Sequence, residues 1–208
     1  ELDGKKGLVW PTPAPFNNTY ALAMPEEQAE QLGVRTLSDL ARVMKEQGDK
    51  QTHLFAMDPE FAGRPDGLAP MSELYGFHFT RDDVRQMLAG LVYTALKNRR
   101  VFVGLVYTTD GHLKDFKLRV LEDDKQFFPF YNAAPVMRAD LLQKHPELKT
   151  LFDPIARLLD DKTMQALNAQ VDIQQEPVQR VAQQFLREHQ LIGDNAQTTQ
   201  EQPAGEEN

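Results

Sequence analysis

Three tyrosines and one arginine carry the most suggestive chemistry in this chain. Tyr20 lies in NNTYALAM, Tyr107 in VYTTDG and Tyr131 in FFPFYNAAPV, while Arg64 lies in FAGRPDG. Each tyrosine falls at the end of a strand candidate, and the arginine falls in a segment dense in turn formers, where ligand-contacting residues often sit. A lone tyrosine in such a place is ordinarily a half-buried rim residue with its hydroxyl bonded. Several aromatic faces together offer more, because their negative quadrupole potential attracts a cation that cannot donate hydrogen bonds, such as a quaternary ammonium group. A guanidinium beside them forks onto a carboxylate. The set would suit a zwitterion of betaine type. Tyr93 lies inside a helix pattern instead and is expected to serve stability alone.

Other chemistry is thinly represented. The histidines at 53, 78, 112, 145 and 189 include no pair with the i, i+4 spacing of a helical metal site, and no metal or cofactor is expected. The acidic run Glu122, Asp123 and Asp124 is followed by Lys125 between two strand candidates, so it reads as a solvated turn rather than the carboxylate pair of a glycosidase. The signatures G-x-S-x-G, P-loop and G-x-G-x-x-G are all absent. Asp110 and His112 beside TTDG leave a hydrolase as an alternative from another class.

The 208 residues are 41% hydrophobic and 26% charged, enough to bury one large core or two small ones. A net charge of -8 argues against gripping a phosphate backbone, so nucleic acid is not an expected partner. Without cysteine there are no disulfides, thiolate metal sites or cysteine nucleophiles. No run approaches the roughly 20 apolar residues of a membrane helix, and ELDGKKGLVW lacks the layout of a signal peptide. A first residue of Glu1 suggests a mature product, an excised domain or a fragment.

The elements that must position the tyrosines follow from periodicity and punctuation. LVW and TYALAM read as strands separated by a proline-stiffened connector, and Pro25 opens a helix that Gly33 ends. Thr36 to Gln47 reads as a second helix, with Asp39 three residues after its cap candidate. THLFAMD at 52 to 58 reads as a strand, and DPEFAGRPDG after it as a loop. A helix pattern spans 81 to 98, and VFVGLVY at 101 to 107 reads as a strand buried on both faces. This alternation predicts a mostly parallel α/β sheet whose ligands bind beyond the carboxyl ends of the strands. FKLRVLEDD and APVMR read as further strands, and helices are expected near 139 to 145, 147 to 159, 161 to 169 and 176 to 190. Residues 193 to 208 contain no aromatic or large aliphatic residue and read as a disordered tail.

Four motifs, LVWPTPAPFNNTYALAM, DPEFAGRPDGL, VYTTDG and LEDDKQFFPFYNAAPVMR, occur in this order over residues 8 to 138. Together they resemble the substrate-binding proteins of ABC importers for glycine betaine, choline, carnitine and related osmoprotectants. The resemblance implies two α/β lobes of the type II periplasmic-binding-protein kind, joined by a hinge and closing on a ligand held in an aromatic cage. It places Tyr20, Tyr107 and Tyr131 on cage positions and Arg64 on the carboxylate-binding position. Residues 1–115 would form the hinge strand and second lobe, 116–192 the return segment and the helix-rich C-terminal part of the first lobe, and 193–208 the tail. Family members carry a further stretch ahead of the LVW strand that supplies most of the first lobe. The chain alone is therefore expected to leave apolar surface on its C-terminal helices uncovered, to self-associate through the region after 116 or order poorly there, and to bind ligand weakly. The resemblance further implies a non-enzyme with no cofactor, a periplasmic or extracytoplasmic location, and a membrane permease and a small quaternary amine as partners. A non-transporting sensor or scaffold lobe of the same fold is the alternative reading.

Overall fold

In the computed structural model, which describes residues 2–47, 54–80 and 82–193, a helical turn α1 (Leu2–Lys5) and a strand β1 (Leu8–Val9) precede the proline-rich connector and β2 (Tyr20–Pro25). Helices α2 (Glu26–Leu32) and α3 (Leu37–Gln47) precede β3 (Phe55–Met57), and α4 (Pro59–Gly63) and α5 (Leu68–Tyr75) precede β4 (Val84–Gln86). Then come α6 (Ala89–Lys97), β5 (Val103–Tyr107), α7 (His112–Asp115) and β6 (Leu118–Val120). A long connection reaches β7 (Met137–Arg138), followed by α8 (Ala139–Lys144), α9 (Glu147–Leu158), α10 (Asp161–Asp172) and α11 (Val178–Glu188). The tail expected over 193 to 208 lies, beyond Gly193, outside the described residues, as does His53.

Five strands join in the order β4-β3-β5-β2-β6. Strand β3 pairs parallel with β4 and β5, whereas β2 pairs antiparallel with both β5 and β6. The sheet is thus mixed rather than mostly parallel, since a buried strand shows the same apolar run whichever way it points. It also runs on past residue 115, because β6 is paired with β2. The helix pattern over 81 to 98 divides in two. Val84, Arg85 and Gln86 pair with Phe55, Ala56 and Met57 along the sheet edge, a tertiary contact that outweighs local propensity, and only 89 to 97 stay helical. The expected loop at 58 to 67 contains a helix as well. Asp58 caps α4 by accepting the Phe61 N–H at 2.8 Å, and Pro59 occupies its first turn.

Side-chain alternation divides the core between the two faces of this sheet. Leu22, Met24, Val103 and Leu105 face α2 to α5, where Leu37, Leu40, Phe61 and Met71 are fully buried against them. The opposite face carries Ala21, Ala23 and Ala56 under Val92 and Leu96 of α6. Gly104 belongs to that face, and a Cβ there would stand 2.5 Å from Val92 Cγ1, so the small stripe is what admits the helix. Each fully buried leucine contributes about 1.5–3 kcal/mol on transfer from water.

The chain enters and leaves the sheet along two antiparallel tracks. β1 pairs with β7, Ala14 N–H donates to the Ala133 carbonyl at 2.8 Å, and Asn17 bridges to Asn132. Asn132 Nδ2 spans the carbonyls of Ala14, Pro15 and Phe16 at 3.0–3.2 Å.

Candidate functional site

The antiparallel pairing of β2 with β5 decides the geometry of the site. Tyr20 opens β2, Tyr107 closes β5, and the register sets them directly opposite one another. Opposed residues of such a pair share one face. Their ring centroids are 4.9 Å apart at an interplanar angle of 33°, and the Tyr107 hydroxyl donates to that of Tyr20 at 3.3 Å. Helix α4 brings two more groups: the buried Phe61 ring, 5.4 Å from that of Tyr20, and Arg64, whose Cζ lies 5.6 Å over the Tyr20 ring. Three of the four expected residues therefore meet at the end of the sheet that holds the carboxyl ends of β3 and β5.

Charge at this end is fixed by local pairing. Arg64 Nε donates to Asp66 Oδ1 at 2.7 Å, and Nη1 lies 3.6 Å from Glu60 Oε1. The Asp66 hydrogen bond raises the guanidinium above its already high value, so it stays cationic. The bond to Tyr107, then burial and the carboxylates of Asp58 and Glu60, lift the Tyr20 hydroxyl above the ordinary tyrosine range. The Tyr20 hydroxyl and its neighbouring cation thus keep their charge states across neutral pH.

Tyr131 is placed differently. It is 51% exposed, and its backbone makes the connection: its N–H donates to Asn17 Oδ1 at 2.6 Å and its carbonyl accepts the Asn18 N–H at 3.3 Å. The segment carrying Tyr131 is thereby tied to the residues just before Tyr20, while its ring stays open to solvent.

Sequence reasoning overlooked Phe61, and Tyr93, expected to serve stability, does so in contact with the strand that carries Tyr107. The Tyr93 hydroxyl accepts the Tyr107 N–H at 3.0 Å, and burial holds it above the usual tyrosine range. The Phe61 signal was available in the Asp-Pro start of α4, whereas the Tyr93 contact depends on how α6 packs. Asp110 Oδ1 accepts the backbone N–H of His112 and lies 2.8 Å from its Nδ1, and the His112 ring stacks on Tyr93 at 5.4 Å. The acidic run holds a turn. Asp123 accepts the Tyr75 hydroxyl and, at 2.7 Å, the Phe128 N–H, and Asp124 accepts the Ser38 N–H at 3.1 Å.

Among the described residues, no helix is long and apolar enough to cross a membrane. With its mixed sheet and paired tracks, the chain belongs to the family of substrate binding domains of ABC-type glycine betaine transport systems, whose model matches residues 1–188. A glycine-betaine-binding protein of Pseudomonas aeruginosa is 72% identical over 197 residues, covering 93% of this chain and 63% of that relative. The carnitine transport binding protein OpuCC of Listeria monocytogenes is 34% identical over 175 residues, covering 84% of this chain and 54% of OpuCC. The crystal structure of a glycine betaine/carnitine/choline ABC transporter superposes with a TM-score of 0.82 at 36% identity, covering 91% of this chain and 67% of that one. The fold is that of the type II periplasmic-binding proteins, and the chain spans between 31% and 63% of the length of the curated relatives it matches.

Proposed function

We propose that this chain is the ligand-holding part of an extracytoplasmic solute-binding protein that captures a quaternary ammonium osmoprotectant of the glycine betaine, choline or carnitine type and hands it to an ABC permease. The observation that carries this reading is the Tyr20–Tyr107 pair, two rings 4.9 Å apart with the Arg64 guanidinium beside them. A quaternary ammonium has no N–H to satisfy, so it forfeits no hydrogen bond by leaving water for ring faces. A ligand carboxylate would share Arg64 with Asp66 and Glu60. Tyr131, exposed on the return track, would complete the cage as a second lobe closes, so that the closed state gains contacts the open one lacks. In this reading the hinge would lie at the paired tracks around Ala14 and Ala133, with the sheet lobe between them, a reading that their antiparallel bonds support. Asp110 and His112 engage one another and Tyr93, which favours a binding role over hydrolysis for this end of the sheet. The exposed apolar residues of α9 and α11 favour self-association of the 208-residue chain on its own.

Titration calorimetry of the full-length protein with glycine betaine, carnitine and choline tests the reading. Each desolvated cation–ring contact is worth on the order of 1–2 kcal/mol, so Tyr107→Ala is expected to weaken binding about tenfold or more. Arg64→Ala is expected to hurt glycine betaine and carnitine far more than choline, which has no carboxylate to pair. Absence of binding for all three ligands in the wild type would refute the reading, and equal losses for both ligand types would leave Arg64 a loop-holding residue.

A further inference from the structure

Helix α10 lies outside the sheet, yet a polar stripe along it bonds to the segments that bear Tyr20 and Tyr107 and, through Asn17, reaches the one that bears Tyr131. Asp161, Gln165 and Asn168, spaced i, i+4 and i+7, share one helix face. Asp161 Oδ1 accepts the Asn17 N–H at 2.8 Å, and the Asn17 side chain in turn accepts the Tyr131 N–H at 2.6 Å. Gln165 Nε2 donates to the Thr108 carbonyl at 2.7 Å, and Asn168 Nδ2 donates to the Thr109 carbonyl at 2.9 Å. These two threonines directly follow Tyr107, and Thr108 N–H reaches the carbonyl of Thr19, the residue before Tyr20, at 3.1 Å. Gly111 permits the close approach, since a Cβ there would stand 2.6 Å from both N and Cα of Ala169.

We propose that α10 positions the ligand site, with Gln165 and Asn168 as positioning residues that set the Tyr107 ring against Tyr20 and so tune affinity for a quaternary ammonium ligand. The proposal rests on the ligand reading above. The β2–β5 ladder ends at the two tyrosines, so the carbonyls beyond it need partners from elsewhere, and the two amides of α10 supply them. Helix α10 has no buried residue of its own. Met164 packs, partly buried, on the cluster around Ala14, Phe16 and Ala156, while the contacts of α10 with the strand end after Tyr107 are these polar bonds and the fit at Gly111, so a change in them reaches the ring pair before it reaches the core. Cation–ring attraction extends only to about 6 Å from the centroid, so a loosened strand end translates into affinity.

The test uses the full-length protein labelled with 3-fluorotyrosine. Gln165→Glu keeps the side chain's size and removes its donor at neutral pH. The expected result is a shift of the Tyr20 and Tyr107 fluorine resonances without ligand, an unmoved Tyr75 resonance, and about threefold to tenfold weaker glycine betaine binding. As the pH falls through the carboxylate range the new carboxyl is protonated and donates again, so affinity relative to wild type recovers. Gln165→Met shows the loss without the recovery, and Asn168→Asp repeats the test at the second contact should the Gln165 variants fold poorly. Unmoved ring resonances, with affinity unchanged or lost equally at every pH, would overturn the proposal and make α10 a purely structural helix. If the wild type binds none of glycine betaine, choline and carnitine, the ligand reading fails, and the ring resonances of the free protein still decide whether α10 positions the pair.

Discussion

Around the five-stranded sheet, Leu22, Met24, Leu37, Leu40, Phe55 and Met57 have no exposed surface, whereas along α9 to α11 burial is confined to Ala156, Val181 and Phe185. Leu151 and Val178, on the same helices, are 56% and 60% exposed. The two regions do not differ in pattern, since α9 and α11 carry apolar stripes as regular as that of α3. They differ in what stands opposite. The sheet offers α2 to α6 two apolar faces, while the C-terminal helices follow the two-residue ribbon β1–β7 and meet the connector around Phe16 and the turn at Gly111, neither of which offers such a face. A two-stranded ribbon is marginal by itself. The ring pair thus belongs to the region that closes its own core, and α10, which braces it, belongs to the region that does not.

The largest expected effect tests that contrast directly. Leu22→Ala should cost about 2–5 kcal/mol, as buried leucine truncations do, whereas Leu151→Ala should stay within about 0.5 kcal/mol. Urea denaturation of both variants at low protein concentration checks it. Comparable costs would mean that the C-terminal helices are covered in solution, by self-association or by the rest of the protein, and the contrast would disappear.

Two glycines probe the contrast at smaller scale. At Gly104 a new Cβ meets Val92 and Leu96 side chains on a helix that is buried against the sheet, so Gly104→Ala should cost about 1–3 kcal/mol of global stability. At Gly111 the obstacle is the Ala169 backbone, which cannot give, but α10 has no buried residue to hold it in place. Gly111→Ala should therefore displace α10 and raise hydrogen exchange in that helix, with a smaller shift in the main unfolding transition. Equal losses of global stability would show that α10 is as firmly built in as α6.

Much of this was legible from the sequence, and the gaps have physical causes. The strand-and-helix order and the place of Tyr20 and Tyr107 at strand ends follow from apolar runs and turn residues. That the two rings would be opposed does not, because strand direction is set by crossovers rather than by side-chain pattern. Arg64 lies beside the Tyr20 ring, but its ties to Glu60 and Asp66 depend on α4, which turn-forming residues disguised. Tyr131 is tied through its backbone to the residues just before Tyr20, which no composition rule reveals. The stripe Asp161, Gln165, Asn168 reads as an ordinary solvent face, because the carbonyls that Gln165 and Asn168 meet lie 57 and 59 residues earlier in the chain.

The smallest effect compares two helix starts that use the same device. Asp39 accepts the N–H groups of Arg35 and Thr36 while Thr36 Oγ1 accepts its own N–H, and Asp160 accepts the Thr163 N–H at 2.8 Å. Burial works against Asp39, but those N–H groups prevail and hold its carboxyl below the ordinary aspartate value, and the Thr163 N–H does the same for Asp160. A carboxyl lowered on folding adds stability that is present above its unfolded pKa, about 3.9, and lost as the pH falls through the folded value. Acid therefore weakens both helix starts, although the Thr36 hydroxyl still accepts the Asp39 N–H at the start of α3. Helix α3 still keeps Leu37, Leu40 and Val43 in the core, whereas α10 has nothing buried to retain it. Amide exchange followed from neutral pH to below about 4, corrected for intrinsic rates, should show protection falling first in α10 and later or not at all in α3. Asp160→Asn supplies the control, since asparagine caps as well as aspartate without titrating. In that variant the acid sensitivity of α10 should vanish; if it persists, the loosening comes from elsewhere along the helix and the cap is not its cause.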